Sequence, residues 1–497
     1  HRDLHSFPTR RSSDLLPDLL PQTKYPPVFP LILSLFWHIN PSFPENIHSM
    51  RLFSALCAVL VLLLAWFYLR LKSSYKTLPA FLFLSAMAFN TYFALLAGQV
   101  LTEMTFTFFS MASIVLFLHY ERHGDKTGLL GSFLLATVAF YTRTIGIALF
   151  FSFLLWFLYQ RRFKAAFLLL ALTFFATVPW FYWTYRNGPA TSSLISAYYS
   201  SYFSWFLSVN QPISYDITFL AKHLAGMGLR IPLLLCPSIG VNLPSLIFDI
   251  FFWFFFLAGV LHQFRKSLSI DTLYLLITIA IVALWSPGLD TTRFLVPALP
   301  IVLFHLMDGI KTAKEDMAGF SIFYKNLVRP LWFVGVAALL VGIFVIGIPE
   351  TPGLIRKSIF NNETLFLCME EASGWVSNNT EKKDVIASSL DPLVYLLSER
   401  HAVNVAWGNC RALLQNPENY YNEDGILGTI KGYKINYLLM VYIEQERLED
   451  RLRNKKLSEI IKKYPAAFHL CYEKEGTFAI YRVNRQYLGS KQSDREP

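Results

Sequence analysis

The chain has 497 residues, of which 54% are hydrophobic and only 16% are charged, whereas a soluble protein carries about 25% charged residues. Apolar runs such as Leu52–Leu69 approach the roughly 20 residues needed to cross a bilayer, so the composition predicts a polytopic α-helical membrane protein. The net charge of +10 does not indicate nucleic-acid binding, because the basic residues lie in short loops between apolar segments.

The first fifteen residues are set apart from the rest. The segment His5–Leu15, HSFPTRRSSDL, resembles a translated sequencing adapter, so residues 1–15 are left out of the fold prediction. We expect the natural start of the protein, with one further membrane span, to lie upstream of this segment. That span would bring the predicted total from ten to eleven.

Ten spans are predicted after a proline-rich segment over residues 16–49, which indicates an outer loop with a short interfacial helix. A long aromatic loop follows over residues 186–243, where aromatic side chains suit the membrane–water interface. The two spans beside Arg143 are short, which favours a tilted or partly re-entrant pair. The predicted spans are 50–69, 78–97, 104–120, 128–142, 144–159, 165–185, 244–262, 270–286, 294–310 and 327–348.

The composition after Pro349 is that of a soluble segment and predicts a small α/β domain over residues 350–484. A strand followed by a helix is predicted in 384–400, a strand in 435–443, and a hairpin in 468–483 with its turn at Lys474–Gly476. Residues 485–497 are predicted to be a disordered tail.

Loop charges predict the orientation of the spans, because Lys and Arg concentrate on the cytoplasmic side. The loops beginning at Arg70, Glu121, Gln160 and Gln263 are rich in basic residues and are predicted to be cytoplasmic. The intervening loops are poor in Lys and Arg and are predicted to face the outside. The C-terminal domain is expected on that outer side too.

The five cysteines show no metal-ligand spacing. Three of them, Cys368, Cys410 and Cys471, lie in the C-terminal region. One disulfide could form among these three, for example between Cys410 and Cys471. No metal site and no cofactor are predicted, and a requirement for a divalent cation stays open.

Several ionisable residues lie in or beside apolar stretches, where a charge is costly and usually functional. All fall on the predicted outer side: Arg51, Glu103, Arg143, Arg186, Arg293 and, more loosely, Arg230. Each also has a structural interpretation. Glu103 could simply favour the first turn of a helix, Arg143 could pair with Glu103 or Asp290, and Arg186 could be an interfacial anchor.

A second signal is the segment KYPPVFP, Lys24–Pro30. Its prolines could simply mark the start of a helix, or they could form a rigid wall of the site with Lys24 facing an anionic ligand. Together these residues predict an outward-facing, arginine-rich pocket at headgroup level. Arginine binds phosphate through a fork of donors, so a lipid-linked phosphate, which can carry a sugar, fits this pocket.

Six segments occur in an order that resembles the GT-C superfamily of integral membrane glycosyltransferases. The similarity is to protein O-mannosyltransferases, lipid A aminoarabinose transferases and rhizobial core-galacturonosyl transferases, over about residues 22–310. The segments are Lys24–Trp37, Met50–Leu60, Gly98–Met111, Ala139–Leu149, Pro179–Gly188 and Thr291–Leu303.

The resemblance implies inverting transfer of a sugar from a polyprenyl-phosphate donor to a hydroxyl of a glycolipid, polysaccharide or protein. It places the reaction on the periplasmic or luminal face, most simply of a bacterial inner membrane. Glu103 is the matching catalytic carboxylate. The matching substrate- and phosphate-binding residues are Lys24, Tyr25, Arg51, Arg143 and Arg293.

In this family the principal catalytic Asp lies in the first outer loop, upstream of the tyrosine–proline motif, and nothing marks Asp18 as that residue. We therefore expect the chain as written to be inactive and to bind a polyprenyl phosphate only weakly. A transporter or flippase of lipid-linked sugars, or an inactive scaffold, are the alternatives. Against transport stand the lack of an internal repeat and an expected lack of matching ionisable residues in the cytoplasmic half.

Overall fold

Most of the chain is helical. The computed structural model describes residues 23, 25–72, 75–187, 226, 228, 231–236, 243–284, 292–318, 322–405, 421–442 and 448–488. Five residues singled out in the sequence lie outside these ranges, as does most of the predicted long loop 186–243: Asp18, Lys24, Arg230, Asp290 and Cys410.

The N-terminal part of the bundle contains eight helices in the described ranges, with a 3₁₀ turn at Thr144–Gly146 between α6 and α7. They are α1 (Val28–Ile39), α2 (Ile47–Lys72), α3 (Thr77–Ala88), α4 (Thr91–Ala97), α5 (Thr102–His123), α6 (Lys126–Thr142), α7 (Ile147–Tyr159) and α8 (Phe163–Asn187).

The second part continues with α9 (Leu243–Lys266), α10 (Ile270–Leu284), α11 (Thr292–Leu295), α12 (Leu299–Ala318), α13 (Ile322–Leu340) and α14 (Ile348–Asn379). A 3₁₀ turn, Val296–Ala298, joins α11 to α12, and a π-helical stretch, Val341–Gly347, joins α13 to α14.

Nine of the ten predicted spans coincide with helix wherever they are described, and the span 78–97 is interrupted at Phe89 and Asn90. Among the described residues, six helices are long and apolar enough to cross a membrane, or seven if the bent pair α3–α4 is one span. The helices at 126–142, 147–159 and 270–284 have 17, 13 and 15 residues, which is fewer than the 18 residues required of a candidate span. The chain is a polytopic α-helical membrane protein, and its total of ten crossings stays a prediction.

The predicted span 78–97 is not a single straight helix, because α3 and α4 meet at an angle of 58°. Asn90 causes the break: its side-chain Oδ1 accepts a hydrogen bond from Phe93 N and so starts α4. Its Nδ2 donates to the carbonyl of Leu234 at 2.6 Å. Side-chain capping of this kind competes with helix continuation.

Helices α9 and α12 pack with their backbones in close approach through two glycines. A Cβ at Gly259 would collide with the backbone carbonyl of His305, and one at Gly309 with that of Phe255. Small residues are favoured at membrane helix contacts because they let two backbones approach. The fold therefore requires glycine at both positions.

The chain enters the C-terminal domain without a loop, since α13, the π-helical stretch and α14 form one helical path from Ile322 to Asn379. The predicted boundary after Pro349 thus falls inside a helix. The far part of α14 packs on the domain through Cys368, Met369 and Ala372.

The C-terminal domain is a small α/β unit, as predicted. Its five-stranded sheet has the order β2-β1-β3-β5-β4, with the first three strands parallel and the last two antiparallel to their neighbours. Its elements are β1 (Val385–Ala387), α15 (Asp391–Ser398), β2 (His401–Val403), α16 (Glu423–Gly432), β3 (Tyr437–Val441), α17 (Leu448–Lys463), β4 (Phe468–Lys474) and β5 (Phe478–Val483).

Both faces of the sheet are covered, because side chains alternate along each strand. In β3, Leu438 and Met440 face the core formed with α16 and α17, whereas Leu439 and Val441 face α14 and α15. Order extends beyond the predicted domain end at 484, since a 3₁₀ turn follows and Leu488 is buried. The Asn484 side chain stabilises that turn by accepting a hydrogen bond from Gln486 N.

Candidate functional site

A cavity of about 800 Å³ lies between the N-terminal helices, α10, α11 and the C-terminal domain. Its wall contains the described residues of the predicted site: Tyr25, Arg51, Glu103, Arg143 and Arg293. Residues far apart in the sequence are thus brought to one end of the bundle. The other predicted residue, Lys24, lies outside the described ranges.

Glu103 is the buried anionic group of the cavity. It lies in the first turn of α5 and is 2% exposed, so interfacial exposure does not explain it. Its Oε1 lies 2.7 Å from Arg143 Nη1 and 3.6 Å from Arg293 Nε. Its Oε2 is contacted at 3.4 Å by the hydroxyl of Thr102.

A break in the helical path places Arg143 in the cavity. Helix α6 ends at Thr142, and Arg143 has an extended backbone with φ −150° and ψ 132°. Gly146 closes the turn by donating its N–H to the Arg143 carbonyl at 2.8 Å. A Cβ at Gly146 would lie 2.6 Å from Phe140 N, so the close return of the chain requires glycine here.

The ring of Phe294 contacts both arginines. The guanidinium carbons of Arg143 and Arg293 are 4.9 Å and 5.0 Å from the centre of its ring. A cation over an aromatic face is attracted by the ring quadrupole, and Phe294 therefore helps to hold two like charges together beside Glu103.

The arginines retain hydrogen-bonding capacity. Arg143 Nη1 and Arg293 Nε are buried, and neither has an acceptor at hydrogen-bond geometry among the described residues. The 2.7 Å contact of Nη1 with Glu103 is thus a charge contact with poor hydrogen-bond alignment. Donors of this kind are suited to an oxyanion that enters the cavity.

The cavity is electropositive. Its described wall has three arginines and one carboxylate, a formal balance of 3 − 1 = +2. No group of three or more His, Cys, Asp or Glu side chains in the described ranges is arranged to hold a metal ion. The charged groups available for chemistry are therefore guanidinium groups and one carboxylate.

Two of the arginines singled out in the sequence are not among the described residues of the cavity wall. Arg186 is exposed in the last turn of α8 and does not line the cavity, which agrees with an interfacial anchor. Arg230 lies outside the described residues. Arg51, by contrast, lines the cavity from the second turn of α2.

The C-terminal domain also takes part in the cavity wall. Pro392, at the start of α15, lines it. Leu396 packs on the cluster of Phe29, Leu33, Trp37 and Met50, and the ring of Phe366 lies 6.3 Å from that of Phe43. The sequence motifs of the membrane part contain no signal for these contacts, because they join segments more than 300 residues apart.

The expected lack of ionisable residues at the other end of the bundle is wrong. Lys72 Nζ lies 3.0 Å from Asp271 Oδ1, and Tyr68 OH donates to Asp271 Oδ2 at 2.5 Å. We call this group the opposite-end network; it consists of Tyr68, Lys72, His262, Gln263, Ser269, Asp271, Thr272, His305 and Asp308.

These residues escape detection in the sequence because several stand at helix ends, where they look like loop charges. Asp271 is in the first turn of α10 and Lys72 is the last residue of α2, yet Asp271 is fully buried. The network joins the ends of α2, α9 and α10 to the middle of α12. Its internal pairing satisfies buried charges that would otherwise be costly.

Comparison with known proteins agrees with this architecture. Residues 24–183 match a sequence model of the family described as Dolichyl-phosphate-mannose-protein mannosyltransferase. A comparison of the sequence with curated proteins gives no match.

Two solved structures are similar over nearly the whole chain. ArnT from Cupriavidus metallidurans in the apo state has a TM-score of 0.50 and 12% identity, covering 95% of this chain and 90% of that one. The archaeal oligosaccharyltransferase AglB from Archaeoglobus fulgidus, solved with an inhibitory peptide and a dolichol-phosphate, has a TM-score of 0.50 and 13% identity, covering 97% and 70%. With the membrane helices, the C-terminal sheet domain and the match over residues 24–183, these similarities show that the chain has the fold of the GT-C superfamily of integral membrane glycosyltransferases.

Proposed function

We propose that the protein is a glycosyltransferase that moves a sugar from a polyprenyl-phosphate donor to an acceptor hydroxyl on the outer face of the membrane. The observation that carries this proposal is the pair of buried guanidinium donors, Arg143 Nη1 and Arg293 Nε, beside the carboxylate of Glu103. An anion with several oxygens satisfies these donors, and a phosphate does so at lipid headgroup level.

The charge of the cavity suits the leaving group. The donor phosphodiester has one negative charge, and the polyprenyl phosphate released by transfer has up to two. A wall with a formal charge of +2 stabilises the charge that develops as the bond between the sugar and the phosphate oxygen breaks. Donors placed where charge develops are a main source of catalysis.

Glu103 is proposed to assist at the acceptor hydroxyl. Its Oε1 faces the two arginines, whereas Oε2 lies 3.4 Å from the hydroxyl of Thr102. Oε2 can accept the hydroxyl hydrogen while the acceptor oxygen attacks the anomeric carbon and the phosphate leaves from the other face, with inversion. This is the role of a positioned carboxylate in general base catalysis.

The family description and the archaeal structure support the choice of donor, since the first concerns dolichyl-phosphate-mannose and the second contains a dolichol-phosphate. The acceptor class in this proposal is a glycan, lipid or protein hydroxyl, and no nucleic acid is involved. The location is a bacterial inner membrane, with the cavity and the C-terminal domain on the periplasmic side.

Binding of undecaprenyl phosphate to the detergent-purified protein tests the phosphate site. Arg143→Gln is expected to weaken binding about tenfold or more, because a charge-assisted contact is lost. Arg186→Gln is the matched control, since Arg186 is an exposed arginine outside the cavity wall, and it should bind normally. Equal affinity of both variants and the wild type would contradict a phosphate site at Arg143.

Transfer itself is measured in membranes that contain the protein, with a radiolabelled polyprenyl-phosphate sugar. Label that reaches an acceptor supports an enzyme. Movement of the intact lipid across proteoliposomes without transfer would favour a flippase instead.

A further inference from the structure

Asn46 is a buried amide that the mechanism above does not use. It immediately precedes α2, and its carbonyl accepts the first helical hydrogen bond, from Met50 N at 3.3 Å. Its own N–H donates to the Ser42 carbonyl at 2.9 Å. The side chain is 0% exposed and lines the cavity.

The position is one where Asn ordinarily caps a helix by accepting from a backbone N–H of the first turn. Asn46 does not do so: among the residues that the structure describes, neither its Oδ1 nor its Nδ2 has a hydrogen-bond partner. Asn90, at the equivalent position of α4, does cap, with Oδ1 accepting from Phe93 N. A buried amide with both ends unpaired is destabilising and rare in native proteins, which indicates that a ligand supplies the partners.

The chemistry of the amide restricts that ligand. An amide presents one donor group and one acceptor, whereas a phosphate oxygen only accepts and is already matched by Arg143 and Arg293. A hydroxyl both donates and accepts, so two neighbouring hydroxyls complement Oδ1 and Nδ2 together. The rings of Trp37 and Phe43, stacked with centroids 6.1 Å apart, form the adjacent wall of the same cavity.

We propose that Asn46 binds hydroxyl groups of the sugar carried by the donor lipid and thereby helps to select that sugar. This inference rests on the proposed function, which supplies the lipid-linked sugar. Asn46 is among the residues that line the cavity and has no exposed surface in the empty protein, so the sugar binds it after a small shift of the neighbouring side chains. Arg51 also lines the cavity, from the second turn of α2, so one cavity holds both an amide for sugar hydroxyls and a guanidinium for a phosphate.

The test compares the affinities of the detergent-purified protein for bare undecaprenyl phosphate and for the same lipid carrying mannose, glucose, galacturonic acid or 4-amino-4-deoxyarabinose. The wild type should prefer at least one sugar-bearing lipid by about tenfold, which corresponds to two hydrogen bonds. Asn46→Leu should lose that preference and bind the bare lipid normally. Asn46→Ser, which retains one hydroxyl, should keep part of it.

Thermal unfolding separates ligand binding from a structural role. Asn422 is the matched control, because its exposed side chain caps α16 by accepting from Asp424 N. Asn422→Leu should lower the unfolding temperature and leave lipid binding intact. Asn46→Leu should not lower it, since no hydrogen bond is lost in the empty protein. A fall in Asn46→Leu as large as that in the control, with both lipids bound more weakly, would show a structural role and overturn the inference.

Other outcomes discriminate between the two proposals. A wild type that binds no lipid phosphate contradicts the proposed function, and the inference falls with it. A wild type that binds bare and sugar-bearing lipids equally, or an Asn46→Leu variant that retains the sugar preference, overturns the inference alone. If Asn46→Leu raises only the KM for the acceptor, the amide binds acceptor hydroxyls and the assignment to the donor sugar is wrong.

Discussion

Replacing Glu103 with Gln is expected to separate binding of the lipid phosphate from transfer of the sugar. The substitution keeps the size of the side chain and removes the charge that lies 2.7 Å from Arg143 Nη1 and 3.6 Å from Arg293 Nε. The formal charge of the described cavity wall rises from +2 to +3. Undecaprenyl phosphate should therefore bind at least as well as to the wild type.

Transfer should fall in the same variant. A positioned carboxylate contributes a factor of about 10² to 10⁴ as a general base, so a loss of roughly a hundredfold or more is expected. Folding should also suffer, because two cations are left beside a neutral amide. Loss of a well-buried pair costs about 3–5 kcal/mol. Since Arg293 is 41% exposed and screened by solvent, about 2–3 kcal/mol is more realistic here.

The control for this stability loss is Asp271→Asn in the opposite-end network. Asp271 is also a buried carboxylate paired with a cation, Lys72, at 3.0 Å. Its amide variant should lose comparable stability and still bind the lipid phosphate. The assays are thermal unfolding in detergent, lipid binding, and transfer in membranes at matched expression. A well-expressed Glu103→Gln enzyme with near wild-type transfer would refute a catalytic role for this carboxylate.

Two further predictions concern the topology and the helix packing. The exposed thiol of Cys471 should react with a membrane-impermeant maleimide from outside intact cells, and Cys471→Ser should reduce that labelling; reaction only after permeabilisation would reverse the orientation. Gly259→Ala should lower the unfolding temperature by an amount corresponding to about 1–3 kcal/mol or more, because its Cβ would collide with the His305 carbonyl. Gly353→Ala, where the new Cβ meets nothing within 4 Å, should be neutral or stabilising, and equal effects of the two alanines would contradict the packing argument.

The membrane part of the fold was largely predictable because its signals are local. Apolar runs identify the helices, and costly charges such as Glu103 and Arg143 mark the cavity. The strand and hairpin pattern around Lys474–Gly476 identified the sheet domain. The bend at Asn90 was not predicted, since it depends on a tertiary bond to the Leu234 carbonyl.

Other features escaped prediction for similar reasons. Asp271 looks like a loop charge until Lys72 and Tyr68 are placed beside it. Asn46 looks like an ordinary helix cap, and only the absence of its expected hydrogen bond in the described structure distinguishes it. The contribution of Pro392 to the cavity wall depends on how the extramembrane domain is placed on the bundle.

The continuous helical path from α13 into α14 fixes the angle at which the sheet domain sits on the membrane helices. An α-helix turns by roughly 100° per residue, so one residue inserted between Val328 and Leu365 would swing the sheet domain around the bundle and carry Pro392 away from the cavity. A π-helical stretch such as Val341–Gly347 is the usual trace of an extra residue accommodated within an α-helix. The angle between the membrane helices and the sheet domain is thus set partly within this short stretch, none of whose residues lines the cavity.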